Sequence, residues 1–157
     1  MKRIEAGGAT YDVRRATRAD VAAIVELIAA DQIGATRDGG DLAPYERAFD
    51  RIDADPAQLL VVVTDARGAV AGTLQLSVIP GLARRGALRA QIEAVRVRED
   101  LRGQGLGHEL FAWAVEEARR RGCALVQLTT DKRREAAHRF YGRLGFVASH
   151  EGFKLRL

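Results

Sequence analysis

The run Arg102-Gly103-Gln104-Gly105-Leu106-Gly107 puts three glycines at the entrance of a helix. It directly follows an alternating stretch, Gln91-Ile92-Glu93-Ala94-Val95-Arg96-Val97, that reads as a strand. Glycine at such a place costs backbone entropy and helix propensity, so something must require bare backbone there. The first turn of a helix offers N–H groups without internal acceptors and the positive end of the macrodipole. A glycine loop lets a diphosphate reach them, and residues 102–107 are therefore expected to form an anion site, with Arg102 adding charge.

The overall charge agrees with that expectation. The 157 residues carry a formal net charge of +4, and Lys2, Lys132 and Lys154 are the only lysines. The arginines are scattered and form no block, which argues against a nucleic-acid arm and for a small anionic ligand. Such a length suits one domain, 1–157, with a real core. Cys123 stands alone, so no internal disulfide or cysteine-based metal cluster is expected. The N-terminus lacks the apolar core of a signal peptide and no apolar run reaches membrane-spanning length, so a cytoplasmic chain is the default.

In chain order, Tyr11-Asp12-Val13-Arg14-Arg15 reads as a first strand, and Thr17-Arg18-Ala19-Asp20 matches a capping box opening a helix through Ile24, Leu27 and Ile28. Residues 34–41 form a polar, glycine-rich loop suited to covering a substrate, and Pro44 starts a second helix to about Ile52. Residues 59–64 and 70–79 make an antiparallel hairpin across Asp65-Ala66-Arg67-Gly68. A helix from about Gly105 to Arg121 buries Leu106, Leu110, Ala114 and Ala118. The next strand, residues 125–130, should run parallel to the one before the glycine loop because a helix intervenes. A last helix, about Arg133 to Leu144, ends at Gly145, and Phe146-Val147 and Phe153-Lys154-Leu155 offer closing strands.

This order of elements resembles the GCN5-related N-acetyltransferase (GNAT) superfamily over nearly the whole chain. The family's loop, Arg/Gln-x-x-Gly-x-Gly/Ala, is met by Arg102, Gly105 and Gly107. A second signature, Asn-x-x-Ala-x-x-(apolar)-Tyr followed by Gly-Phe, is matched by Ala137, Phe140, Tyr141, Gly145 and Phe146, with Arg134 where Asn is common. The resemblance implies an α/β fold: a central mixed, mostly antiparallel sheet of six to seven strands, splayed at the family's strands 4 and 5, flanked by about four helices. It implies acetyl-CoA as co-substrate, with no metal. Backbone groups of Val95, Arg96 and Val97 would pair with the pantetheine arm as an added strand would. Gly103, Gln104, Gly105, Leu106 and Gly107 would hold the diphosphate, and Arg134 is the variant position beside them.

The reaction so implied is attack of a small-molecule primary amine on the thioester. An alkyl ammonium has a pKa near ~10, so a base must take its proton. Glu93 is the candidate base, since alternation places Gln91, Glu93, Val95 and Val97 on one face, where an acid among apolar residues is unusual. Tyr141 is the candidate acid for the departing thiolate; it also belongs to an apolar helical stripe with Ala137, Phe140 and Leu144. His108, His138 and His150 have no metal spacing, and Cys123 reads as packing. The C-terminal run from Lys132 through Tyr141 to His150 further resembles aminoalkylphosphonate N-acetyltransferases. A non-catalytic acyl-CoA sensor is the rival reading. No nucleic-acid or membrane partner is expected; a homodimer is neither demanded nor excluded.

Overall fold

The computed structural model describes residues 2–30 and 38–157. Its first hairpin joins β1 (Lys2–Ala6) to β2 (Ala9–Arg15) through Gly7 and Gly8, both at positive φ, 57° and 78°. A two-residue hairpin turn demands that geometry. The sequence reading begins its strands only at Tyr11 and so misses β1, although a Gly-Gly turn was there to announce it.

The sheet has six strands in the order β1-β2-β3-β4-β5-β6. The remaining strands are β3 (Gln58–Thr64), β4 (Val70–Ile79), β5 (Leu88–Val97) and β6 (Cys123–Leu128). Every neighbouring pair is antiparallel except β5 and β6, which run parallel as the intervening helix requires. The helices are α1 (Val21–Ala29), α2 (Ala43–Ala54), the single turn α3 (Ala83–Gly86), α4 (Leu106–Arg120) and α5 (Glu135–Arg143).

Helices cover both faces, which explains why β3 is a continuous apolar run rather than an alternating one. Leu59, Val61 and Val63 join Leu106, Leu110, Phe111 and Ala114 of α4 in one core. Leu60 and Val62 point the other way, to Val21, Ile24 and Val25 of α1 and Phe49 of α2. The capping sequence works as read: the Thr17 N–H and hydroxyl both donate to Asp20 Oδ2, at 2.7 and 2.8 Å, through one 3-10 turn that leads into α1.

The expected closing strands are not formed. Residues 145–157 have no regular structure, and Val147, Phe153 and Leu155 are 82%, 91% and 88% exposed. Phe146 is instead drawn into an aromatic cluster with Phe111 and Tyr141. Alternation makes a strand only where a neighbour supplies hydrogen bonds. Of the glycine-rich loop at residues 34–41, positions 34–37 lie outside the described residues; Gly39 N–H donates to Tyr45 Oη at 2.8 Å.

β5 carries the feature that positions the site. Its register with β4 jumps from Gln75↔Glu93 to Thr73↔Arg96, so Ala94 and Val95 together oppose Leu74. Ala94 takes φ 51°. Such a bulge inserts one residue and inverts the side-chain phase. Ala90 and Ile92 face the α4 core before it, whereas Val95 and Val97 pack on that same core after it. Glu93 is therefore exposed on the opposite side from Val95 and Val97, which corrects the expectation that these residues share a face.

Candidate functional site

The parallel ladder between β5 and β6 ends at Ile92↔Leu128, while β5 runs on beside β4 to Val97. Beyond that last rung the two strands part, and a small pocket of about 60 Å³ opens in the fork. Ile92, Glu93, Ala94, Val95 and Arg96 line it from β5, Leu128 and Thr129 from β6, Phe111 from α4, and Arg134 and Tyr141 from the α5 segment. Both candidate catalytic residues thus line one cavity, although they are far apart in sequence. The bulge follows Glu93 at Ala94, and the backbone of residues 94–96 after it lines the fork.

Two acceptors along this edge are already engaged by arginines. Arg96 Nη1 donates to Val95 O at 2.8 Å, and Arg102 Nε donates to Val97 O at 3.3 Å. A carbonyl has two lone pairs, so each retains capacity for a further donor.

Tyr141 is half-buried and edge-on to Phe111, Phe140 and Phe146, with ring centroids 5.5, 5.6 and 6.2 Å away. Burial pushes its phenol above the usual value, while Arg134 and Arg96 pull back towards ionisation. The hydroxyl accordingly keeps its proton at neutral pH beside two guanidiniums that favour negative charge. That combination suits donation to a developing anion. Glu93 sits across the ladder from Gln75 and is open to solvent, the right exposure for passing a proton through water.

The second cavity adjoins the first. Gly103 and Gly105 take φ of 77° and 89°, conformations that a side chain would strain, and Gly105 caps α4. The first helical donor to find an internal acceptor is Glu109, to Gly105 O at 3.1 Å. The amides ahead of it have no preceding carbonyl to bond. Gly107 is informative for the opposite reason: it has no unusual φ, and an added Cβ would meet Phe140 Cζ and Val97 Cγ2 at an ordinary 3.8 Å. The protein's own packing does not require glycine at 107, whereas a ligand lying on the helix end would. Gln104 is braced from outside: its Nε2 donates to Asp100 O at 2.8 Å, and its side chain leaves no room for a Cβ on Gly7 of the β1–β2 turn.

A groove of about 450 Å³ lies over this loop, lined by Arg102, Gly103, Gly105 and Gly107 and also by Leu101, His108, Phe140, Arg143 and Leu144. The sequence reading assigns His108 to the surface and does not single out Arg143. The helical spacing from Phe140 to Arg143, just after the tyrosine signature, was the available signal. Arg134 lines the pocket at the fork and not this groove. Cys123 is half-buried at the start of β6, where burial raises its thiol pKa and leaves it inert. Among the described residues, no group of three His, Cys, Asp or Glu side chains could hold a metal.

A bulged strand, a parallel neighbour parting from it and a glycine-capped helix between them define an acetyltransferase fold. The Acetyltransferase (GNAT) family model matches residues 22–146, and the chain belongs to that family. It is similar to a transcriptional regulator from Bacillus halodurans C-125 solved by crystallography, at 42% identity and TM-score 0.89, covering 94% of this chain and 99% of that one. A putative acetyltransferase from Agrobacterium tumefaciens str. C58 is 29% identical with TM-score 0.83, covering 93% and 99%. The aminoalkylphosphonate N-acetyltransferase of Salmonella typhimurium is 46% identical over 63 residues, which span 40% of this chain and 41% of that enzyme.

Proposed function

We propose that this chain is an acetyl-CoA-dependent N-acetyltransferase that acetylates a primary amine of a small molecule by direct attack on the thioester. The observation that carries the reading is continuity. The fork holding Glu93 and Tyr141 lies beside the groove over the α4 N-terminus, and Val97 lines the groove one residue beyond Arg96 of the fork. The residues fit the cofactor: the bare helix end takes a diphosphate, and the open edge of residues 93–97 takes an extended amide-bearing arm. Acetyl-CoA, when bound, supplies the activated acyl group.

The chain's own residues then have distinct tasks. The amides of Gln104, Gly105, Leu106 and Gly107, with Arg102, hold the diphosphate. The backbone of Val95, Arg96 and Val97 orients the arm. Glu93 takes the ammonium proton, directly or through water, and Tyr141 gives its proton to the leaving sulfur while Arg96 and Arg134 favour the transient negative charge. Orientation supplies most of the acceleration.

Release of CoA thiol across polyamines, amino acids, aminoglycosides and aminophosphonates tests this reading. Turnover on at least one acceptor, lowered roughly 100-fold by Tyr141→Phe, supports it. The partial match to the Salmonella enzyme favours aminoalkylphosphonates as the first acceptors to try. A second reading, an acyl-CoA sensor without turnover, is favoured by the similarity to the transcriptional regulator, which extends over 94% of this chain and 99% of that one. Acetyl-CoA binding with no thiol release on any acceptor would support the sensor.

A further inference from the structure

On the α1 and α2 side of the sheet, one rung crosses four strands without an apolar residue. Gln58 of β3 stands opposite Ser77 of β4, Ser77 opposite Gln91 of β5, and Gln91 opposite Gln127 of β6. Alternation fixes the side: Leu76, Ala90 and Ile92 belong to the α4 core, so Ser77 and Gln91 face away from it. Leu60, two residues from Gln58, belongs to the core under α1 and α2, and the rung continues that face where its apolar packing stops.

The rung adjoins the site. Glu93 is two residues beyond Gln91 and Thr129 two beyond Gln127, and both line the fork. Because the bulge comes only at Ala94, Glu93 keeps the face of Gln91. The rung therefore lies about 7 Å from Glu93 along the strands, on the side away from Val97 and the glycine loop. A cofactor entering from Val97 leaves this side of the fork to the amine.

The hydrogen bonds of the rung are only partly internal. Gln58 Oε1 accepts from Gln75 Nε2 at 3.0 Å and from Ser77 Oγ at 2.6 Å, which fills it. Gln127 Nε2 donates to Gln91 Oε1 at 2.8 Å and holds the two amides side by side. Both side chains are half-buried, and among the described residues nothing meets the Gln91 N–H groups or Gln127 Oε1. A donor and an acceptor held together serve a hydroxyl, which needs both. They carry no charge to offset the desolvation of an ammonium or a carboxylate. Arg89 follows on this face only two residues further from the fork.

Resting on the acetyltransfer reading above, we propose that Gln91 and Gln127 determine acceptor specificity by binding an uncharged hydroxyl about 7 Å from the amine that Glu93 deprotonates. The substrate class is accordingly a hydroxylated primary amine, and a plain alkyl amine or a diamine is a poor acceptor.

Release of CoA thiol by the full chain tests this with four linear amines of matched length. They end in a hydroxyl (aminopentanol), a methyl (hexylamine), a second amine (diaminopentane) and a carboxylate (aminohexanoate). Aminopentanol should exceed hexylamine about 10-fold in kcat/KM, the scale of one or two hydrogen bonds at a half-exposed site. Gln91→Met should bring that ratio to within about twofold, the loss falling on KM for aminopentanol, and Gln127→Met should do so in part. A ratio within about twofold in the unaltered chain overturns the proposal, as does a preference for diaminopentane or aminohexanoate. An equal loss on aminopentanol and hexylamine in Gln91→Met also overturns it, since the amide would then only support the sheet. So does turnover of another acceptor with none of these four. If no amine releases CoA thiol, the acetyltransfer reading fails first and takes this inference with it.

Discussion

At Arg14 and at Arg143 the same side chain meets opposite surroundings. Arg14 grips Asp20 with two bonds of 2.7 Å, and Asp20 also accepts from Thr17. The Arg14 guanidinium, with help from Thr17, holds the Asp20 carboxyl down from 3.8 to about 2. Arg102 and Arg143, in the groove, face no carboxylate among its lining residues. A paired guanidinium is committed to the fold, and an unpaired one in a concavity is available to a ligand. Counting arginines cannot separate these roles, because the difference lies in what the fold brings opposite each.

That contrast can be broken from either side. The largest effect belongs to the site: Tyr141→Phe should lower kcat roughly 100-fold with CoA affinity unchanged, as steady-state rates and calorimetry would show. Equal loss of binding would mean that the ring matters only as packing. Next comes the structural end. Asp20→Asn should cost about 2 kcal/mol of stability and leave CoA binding intact, measured by thermal unfolding and titration. Because folding lowers the Asp20 pKa, its contribution is complete above about pH 4 and disappears as pH falls towards 2. The unaltered chain should therefore lose stability over that window more steeply than Asp20→Asn does.

A pair of glycines sharpens the comparison further. Gly107→Ala should bind CoA about 10-fold more weakly with a slightly raised melting temperature, since alanine favours the helix and no strain or clash attends it. Gly105→Ala should lose binding and also about 1 kcal/mol of stability, because φ 89° is strained for alanine. Smaller still, Glu93→Gln should slow turnover several-fold at neutral pH with little change in melting, since its side chain is exposed. Lys132→Ala should do nothing measurable. Its pair with Glu151 is 78% and 69% exposed, and such pairs contribute less than about 0.5 kcal/mol.

What could be read from the chain alone was what is local. The β3–β4 hairpin, the apolar face of α4 and the parallel sense of β6 follow from periodicity and from the helix between strands. The capping sequence at Thr17 and Asp20 formed as spelled. The bulge at Ala94 was hidden because alanine has no preference for positive φ; only the register with β4 forces it there. Val95 and Val97 were accordingly grouped with Glu93 on one face, from which the bulge removes them. Phe153 and Leu155 alternate correctly and form no strand, since pairing depends on a neighbour that sequence does not name. Arg143 escaped notice because an arginine near a helix C-terminus already has a sufficient reason to be there, in the dipole.

The early end of the β5–β6 ladder leaves an unsatisfied sheet edge inside the molecule. Such edges normally recruit other polypeptides and invite aggregation, and proteins blunt them with bulges and charge. This fold places both at the opening: the kink at Ala94, and the Arg96 side chain capping Val95 O. The gap can thus stay ready for a slender guest while discouraging a neighbouring protein's strand from zipping into it.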